Sequence, residues 1–477
     1  MSVEKTTLKN ITSLFGAQLI TSLLTPLLLI YIARTLGDEI FGKYSFIMSL
    51  TAIFLIVSEF GIKSVAVRDV ARDTAKAGQY LRNLVSLKLV FSFLIMLLLI
   101  LFVHALDVPP DTTRASYIFA VGLFFQSLSY AFRWVFHALQ IMEYEALQRV
   151  AERFLLLVLS VWVLWHGFGL IALSLVFLAT QIIICLLSLI FAVRKTRIPS
   201  LTINLSFWKY LVKTAVFFAL CEVLWMIYFR VDMVMLAKIR GEEEVGWYNA
   251  AYAVVNFVTL ISMLTMQALF PVLSSLYEKK KGKLKQTAER LFRYLILLAL
   301  GIVPVVWVLS PRIINLLFGS EYSHSVTALQ ILIFVIIFLF PGNLFAHVLA
   351  SSNRHKSLAL VNFIGVLMNI GLNLILIPKY GYRGAGIATI ITEVMLCFLL
   401  YAVMSKFIKI QWLKIVLSLL PGLTAMVLII YAAGSLWFIP VIVFALLVYF
   451  FFAFLTGSIN KEDVAFFIDI LRKKSSD

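Results

Sequence analysis

The chain has 477 residues, of which 62% are apolar and only 14% charged, whereas ordinary soluble domains carry about 25% charged residues. A mean hydropathy of +1.00 over the whole length is too high for one anchor on a soluble body. It excludes a soluble enzyme, a nucleic-acid-binding module and a fibrous or disordered chain.

Windows of about 19 residues predict a first span over 11–33, which is too long for a signal h-region and lacks an A-x-A cleavage pattern. It holds Pro26, a candidate hinge because proline removes a helix hydrogen bond, and Arg34 follows its end. The second span, 43–66, carries Glu59 and Lys63 at i,i+4 in the favourable order. That order predicts a local ion pair, with a vestibule lining as the other reading. Spans follow at 81–106, 115–138, 147–168 (with Arg153 about one turn in) and 169–193. The seventh, 212–237, places Glu222 near the membrane midplane and Arg230 and Asp232 near its far end. Next come 247–270, 289–310, 325–350, 357–377 and 384–405, the last holding a second midplane carboxylate, Glu393. Two more spans cover 413–432 and 436–456. The chain therefore reads as an all-α polytopic membrane protein with about 14 transmembrane helices. In the tail, Val464, Phe467, Ile468 and Leu471 recur at helical spacing beside Arg472 and Lys473, as in a helix lying on an anionic membrane face or in a solvated basic tail.

With the N-terminus inside, 32 of the 41 Lys and Arg residues fall on the cytoplasmic side and nine on the other. The net charge of +17 is therefore mainly topology, with both termini cytoplasmic. Cys185, Cys221 and Cys397 lie in apolar runs without CxxC spacing, which predicts neither a disulfide framework nor a zinc site. There is no P-loop, no HExxH and no GxSxG, so neither an ATPase nor a hydrolase is expected and no cofactor is implied. The predicted outside loops are too short for the catalytic domain of a membrane glycosyltransferase or polymerase.

The junction after the first span reads Ala33-Arg34-Thr35-Leu36-Gly37-Asp38-Glu39-Ile40-Phe41-Gly42-Lys43-Tyr44. The junction after the seventh reads Ala237-Lys238-Ile239-Arg240-Gly241-Glu242-Glu243-Glu244-Val245-Gly246-Trp247-Tyr248. Both fit A-[RK]-x-x-G-[DE]-E-x-x-G-x-Y at an offset of 204 residues. Weaker matches follow, His137-Ala138-Leu139 with His347-Val348-Leu349 and Gly167-Phe168 with Gly381-Tyr382. Junctions six spans apart share their orientation, so the repeat is parallel and relates two six-helix bundles about an axis along the membrane normal. The predicted organisation is one bundle over 1–195, a second over 196–410, two additional helices over 411–457 and a cytoplasmic tail over 458–477.

The segments LIYIARTLGDEIFGKYSF, SEFGIKSVAVRDVAR, YFRVDMVMLAKIRGEEEVGWYNAAYAV and NIGLNLILIPKYGYRGAGIATIITE resemble polysaccharide-biosynthesis membrane proteins. These are the Wzx-type, O-antigen-type flippases of the multidrug/oligosaccharidyl-lipid/polysaccharide exporter superfamily. The resemblance runs through the first twelve spans in order. It implies a non-enzymatic transporter in a prokaryotic plasma membrane. Such a protein moves a polyprenyl-pyrophosphate-linked oligosaccharide from the inner to the outer leaflet by alternating access, alongside other polysaccharide-assembly proteins. A cation-coupled multidrug antiporter and a lipid II flippase of the same superfamily are the alternatives. A diphosphate head crossing the membrane needs cationic and hydrogen-bonding groups at depth. Arg34, Arg153, Arg230, Asp232, Glu59 and Lys63 are the candidates for binding or gating, with Arg230 also able to bridge to the acidic cluster Glu242–Glu244. Arg68, Lys88, Arg133 and Glu152 join them at a basic inner mouth, and Glu222 and Glu393 are the candidates for coupling to H+ or Na+. For each midplane carboxylate the other reading is a structural hydrogen bond between helices.

Overall fold

The computed structural model describes residues 3–63, 65–66, 69, 77–138, 141–196, 202–279, 281–432 and 438–458. Arg68 and the amphipathic pattern from Val464 to Leu471 lie outside the described residues. In chain order the helices are α1 (Val3–Glu59), α2 (Ala77–Leu106), α3 (Pro110–Ala138), α4 (Glu143–Trp165) and α5 (Leu170–Thr196). They continue with α6 (Leu205–Arg240), α7 (Glu242–Lys279), α8 (Lys281–Leu317), α9 (Ser323–Leu332) and α10 (Val335–Ser351). The last four are α11 (His355–Tyr380), α12 (Tyr382–Ser405), α13 (Trp412–Ala432) and α14 (Phe438–Leu455). Among the described residues nine helices are long and apolar enough to cross a membrane, or ten if the bent pair α9 and α10 counts as one span. The chain is an all-α, multi-pass membrane protein.

Both of the first two predicted spans lie in α1, and the residue inside it with non-helical dihedrals is Gly37 (φ 76°), not Pro26. A φ in that range is readily adopted only by glycine. The equivalent Gly241 (φ 102°) closes α6. Gly167 (φ 77°) and Gly381 (φ 57°) repeat the pairing further along, as do Asp107 (φ 50°) and Gly319 (φ 101°), which lie 212 residues apart. Three positions of positive φ thus recur in both halves of the chain, one glycine being replaced by Asp107, whose short polar side chain tolerates that conformation.

The chain forms two compact units. The first comprises Met1–Phe257, Ile314–Ala328 and Val366–Ala388. Ile62, Val65, Leu84, Leu87 and Trp134 pack there against Leu211 and Ala215 of α6. Phe132, Phe136 and Leu128 of α3 pack against Cys185 and Ala192 of α5. Its polarity is the reverse of a soluble protein's. Phe93, Leu94, Leu97, Leu98 and Leu101 of α2 are exposed, while Lys88 and Ser92 of the same helix are fully buried. An apolar exterior costs nothing where the surrounding solvent is hydrocarbon.

The second unit comprises Val258–Ile313, Leu329–Gly365 and Thr389–Asp477. In it α13 and α14 join α8 around the buried Tyr449, whose hydroxyl donates to Leu297 O at 2.9 Å. A Cβ at Gly422 would lie 2.9 Å from Phe452 Cβ and 3.0 Å from Tyr449 O, so this close approach requires glycine.

Candidate functional site

Two groups of polar residues in the first unit answer to the sequence motifs. The first is built where α1, α2 and α3 meet. Lys88 is fully buried; it donates to Glu59 Oε1 at 2.5 Å, Ser58 O at 2.7 Å and Ser127 Oγ at 3.0 Å. Ser58 and Ser92 complete the network on Ser127, at 2.7 and 2.8 Å. A buried ammonium has three protons to place, and all three have acceptors here. Glu59 therefore pairs with Lys88, across two helices, rather than with Lys63 at i,i+4. Lys63 is half-buried and lies within electrostatic reach of Glu145 and of Glu222. Glu222 is exposed, facing Glu59, Lys63 and Lys88.

A second buried pair joins α3 to α4. Arg133 and Glu152 are each 4% exposed, and Arg133 Nη2 donates to Glu152 Oε2 at 2.8 Å. Gln181 and Gln126 donate to Glu152 Oε1 at 3.2 and 3.4 Å. Two turns nearer the start of α4, Glu145 accepts from Arg149 Nη2 at 2.6 Å and Nε at 3.0 Å, and also contacts His137. Arg153 stands beside these pairs without joining one among the described residues. It is half-buried and acts electrostatically on Tyr44, Tyr130 and Glu152.

The second polar group is the pair of matched junctions themselves. A Cβ on Gly42 would lie 1.7 Å from Glu242 O, and a Cβ on Gly246 would lie 2.1 Å from Asp38 O. The repeat aligns Gly42 with Gly246 and Asp38 with Glu242, so each junction presses its glycine against the other's turn. The neighbouring equivalent pair, Ser45 and Asn249, bond to one another, Asn249 Nδ2 to Ser45 Oγ at 2.6 Å. Around them Trp247 Nε1 donates to Asp38 at 2.7 Å, Thr112 to Glu242 at 2.7 Å and Tyr322 to Ala33 O at 2.9 Å. Tyr382 N donates to Glu244 at 2.7 Å, and Arg240 donates to Ile377 O and Pro378 O, the last carbonyls of α11. Lys43 pairs with Asp111 at 2.7 Å and with Glu39 at 2.9 Å.

The sequence candidates at this end are placed differently from one another. Arg34 is exposed. Asp232 is 3% exposed; it accepts from Tyr248 Oη at 2.7 Å and from Met233 N at 2.8 Å. Arg230 Nη1 lies 4.0 Å from Met233 Sδ. The bridge from Arg230 to the acidic cluster is not formed among the described residues, because Glu242 and Glu244 are bound by Thr112 and by Tyr382 N. Glu393 is buried on α12 in the second unit. Within α11, Asn373 Nδ2 donates to Asn369 Oδ1 at 2.9 Å. The residues that sequence reasoning passed over are Lys88, Arg133 and Glu152 as pairing partners. The available signal was opposite charge at similar depth in consecutive spans.

Residues 7–277, more than half of the chain, match the family described as polysaccharide biosynthesis protein. The chain belongs to that family. The MatE family also matches over residues 218–375. "Uncharacterized membrane protein MJ1068" of Methanocaldococcus jannaschii is 28% identical over 200 residues, 41% of this chain and 39% of that protein. The match therefore spans well under half of that relative. "Probable low-salt glycan biosynthesis flippase Agl15" of Haloferax volcanii is 23% identical over 80% of each chain. Among solved structures, "Lipid II flippase MurJ, inward closed conformation" superposes with a TM-score of 0.76 at 16% identity, over 92% of this chain and 97% of the other. That similarity shows the fold.

Proposed function

We propose that this member of the family is a flippase. It moves a polyprenyl-diphosphate-linked oligosaccharide from the cytoplasmic to the outer leaflet of a prokaryotic plasma membrane by alternating access. The observation that carries the reading is Arg153, half-buried and without an ion pair among the described residues, which acts electrostatically on Tyr44, Tyr130 and Glu152. An anionic headgroup is the ligand for which such a group repays its burial, and the glycan-flippase relative supports the same class. On this reading the matched junctions are the outer seal, here closed, and the end carrying Lys63, Glu145 and Glu222 opens to the cytoplasm. Lys63 and Arg153 collect the diphosphate, and Arg34 and Arg230 meet it near the outer face once the seal opens. Glu222, exposed between two lysines and Glu59, is the first candidate for H+ or Na+ coupling, and Glu393 the second.

The MatE match favours a second reading, a cation-coupled drug antiporter. An unpaired arginine would repel the cationic substrates of such a protein. A deletion strain decides between them. The flippase reading expects lipid-linked glycan to accumulate on the inner leaflet when the protein is lost. Unchanged glycan distribution together with raised drug sensitivity would establish the antiporter instead.

A further inference from the structure

Glu152 and Arg153 are adjacent on α4. In a low-dielectric setting, neighbouring opposite charges cancel most of each other's field even without touching. Left to itself, Glu152 would silence the arginine beside it. The structure instead surrounds the Glu152 carboxylate with donors: Arg133 Nη2 at 2.8 Å on one oxygen, Gln181 and Gln126 at 3.2 and 3.4 Å on the other. The Arg133 guanidinium also lies 5.1 Å from the Tyr130 ring, and it is as deeply buried as its partner. The two buried charges sum to zero, and Arg153 keeps a net positive field. The other carboxylates on the same helix, Glu143 and Glu145, are held by Lys9 and by Arg149 and His137.

We infer that Arg133 is a positioning residue for anion recognition, neutralising Glu152 so that Arg153 can bind the diphosphate of the substrate. This rests on the reading of Arg153 given above. The same device recurs at Lys88, which claims Glu59 and leaves Lys63, the nearer partner in sequence, without an ion pair among the described residues.

The test measures farnesyl diphosphate binding to the full chain in lipid nanodiscs, with farnesol as the uncharged control and thermal unfolding of every variant. Arg153→Gln is expected to weaken diphosphate binding about tenfold, the loss of one charge-assisted contact, without changing farnesol binding. Arg133→Gln is expected to weaken it comparably although it touches no ligand. Glu152→Gln is expected to act with the opposite sign, binding diphosphate at least as tightly as the unaltered chain. Arg133→Gln/Glu152→Gln is expected to recover most of the loss. A purely structural network would show weakening in both single variants, Glu152→Gln included, because each strands one buried charge. That pattern, with Arg153→Gln still defective, would overturn the positioning role alone. Unaltered diphosphate binding by Arg153→Gln would overturn the anion-site reading and this inference with it. Should Arg133→Gln fail to fold, Glu152→Gln, which removes the carboxylate rather than stranding it, still decides the sign.

Discussion

At the Gly42 end of the first unit, two backbones meet with no side chain between them, and most bonds around the contact run from one neutral partner, such as Trp247 to Asp38 or Arg240 to backbone carbonyls. Near Glu59, four ionised side chains are buried in two pairs, each padded with serines or glutamines. The first kind of contact separates cheaply, because water can replace each partner and a typical hydrogen bond contributes about 1 kcal/mol net. The second does not, because breaking a buried pair strands a charge at about 3–5 kcal/mol. A protein that must open one surface while keeping a polar interior intact needs both. On the flippase reading proposed above, the first region is the moving seal and the second the fixed scaffold.

The largest effect should come from a methyl group. Gly42→Ala places a Cβ where Glu242 O already stands, and neither backbone can give way without separating the junctions. With Cys185, Cys221 and Cys397 replaced and Ser49, which is fully buried, changed to Cys, an impermeant thiol reagent added from outside should label Gly42→Ala far faster than its parent. Transport should fall accordingly. Equal labelling would mean that these junctions are not the seal. Gly246→Ala, the symmetric change, should behave alike, because it meets Asp38 O in the same way.

The scaffold half of the comparison is tested at Lys88. Lys88→Met leaves Glu59 without its cation, and stability measured by unfolding in detergent should drop by about 3–5 kcal/mol. Lys88→Met/Glu59→Gln should recover most of that loss. Labelling at Ser49→Cys should stay at its parental rate in the double variant. If the Lys88 pair instead controlled the seal, labelling would rise with it, and the contrast between the regions would collapse.

The matched junctions were more legible in the sequence than the buried ion pairs. A helix turn requires a residue of a particular backbone freedom at a fixed place, so Gly37 and Gly241 repeat at a constant offset and both adopt positive φ. Gly42 and Gly246 repeat because their contact is reciprocal. Ion pairs obey no such local rule. Glu59 has Lys63 at the favoured i,i+4 spacing, yet Lys88, 29 positions away, is the one that reaches it. Spacing ranks partners on one helix, whereas burial ranks them across helices, and only the fold supplies that. Gly37, not Pro26, interrupts α1 for a related reason: a proline costs one hydrogen bond and is tolerated where neighbours restore it, whereas a left-handed residue has to turn the chain. Asp232 shows the same limit. The sequence marks it as a candidate for binding or gating, and its side-chain partner is Tyr248, an uncharged residue from the next helix.

The finest test of the comparison lies at Ser45 and Asn249, the equivalent positions that bond each other at 2.6 Å. If the seal is assembled from separable neutral contacts, this bond should contribute only about 1 kcal/mol, shifting labelling at Ser49→Cys roughly fivefold in Asn249→Ala. Ser45→Ala should have the same effect, and the double variant should be no worse than either single one, since each removes the same bond. The equivalence also makes a swap informative. Ser45→Asn/Asn249→Ser exchanges donor and acceptor across the contact, and a seal with two-fold pseudo-symmetry should accept it with labelling close to that of the parent. Labelling as fast as in Gly42→Ala would mean instead that the surroundings distinguish the two sides, and that the repeat in sequence is no longer a symmetry of the closed junction.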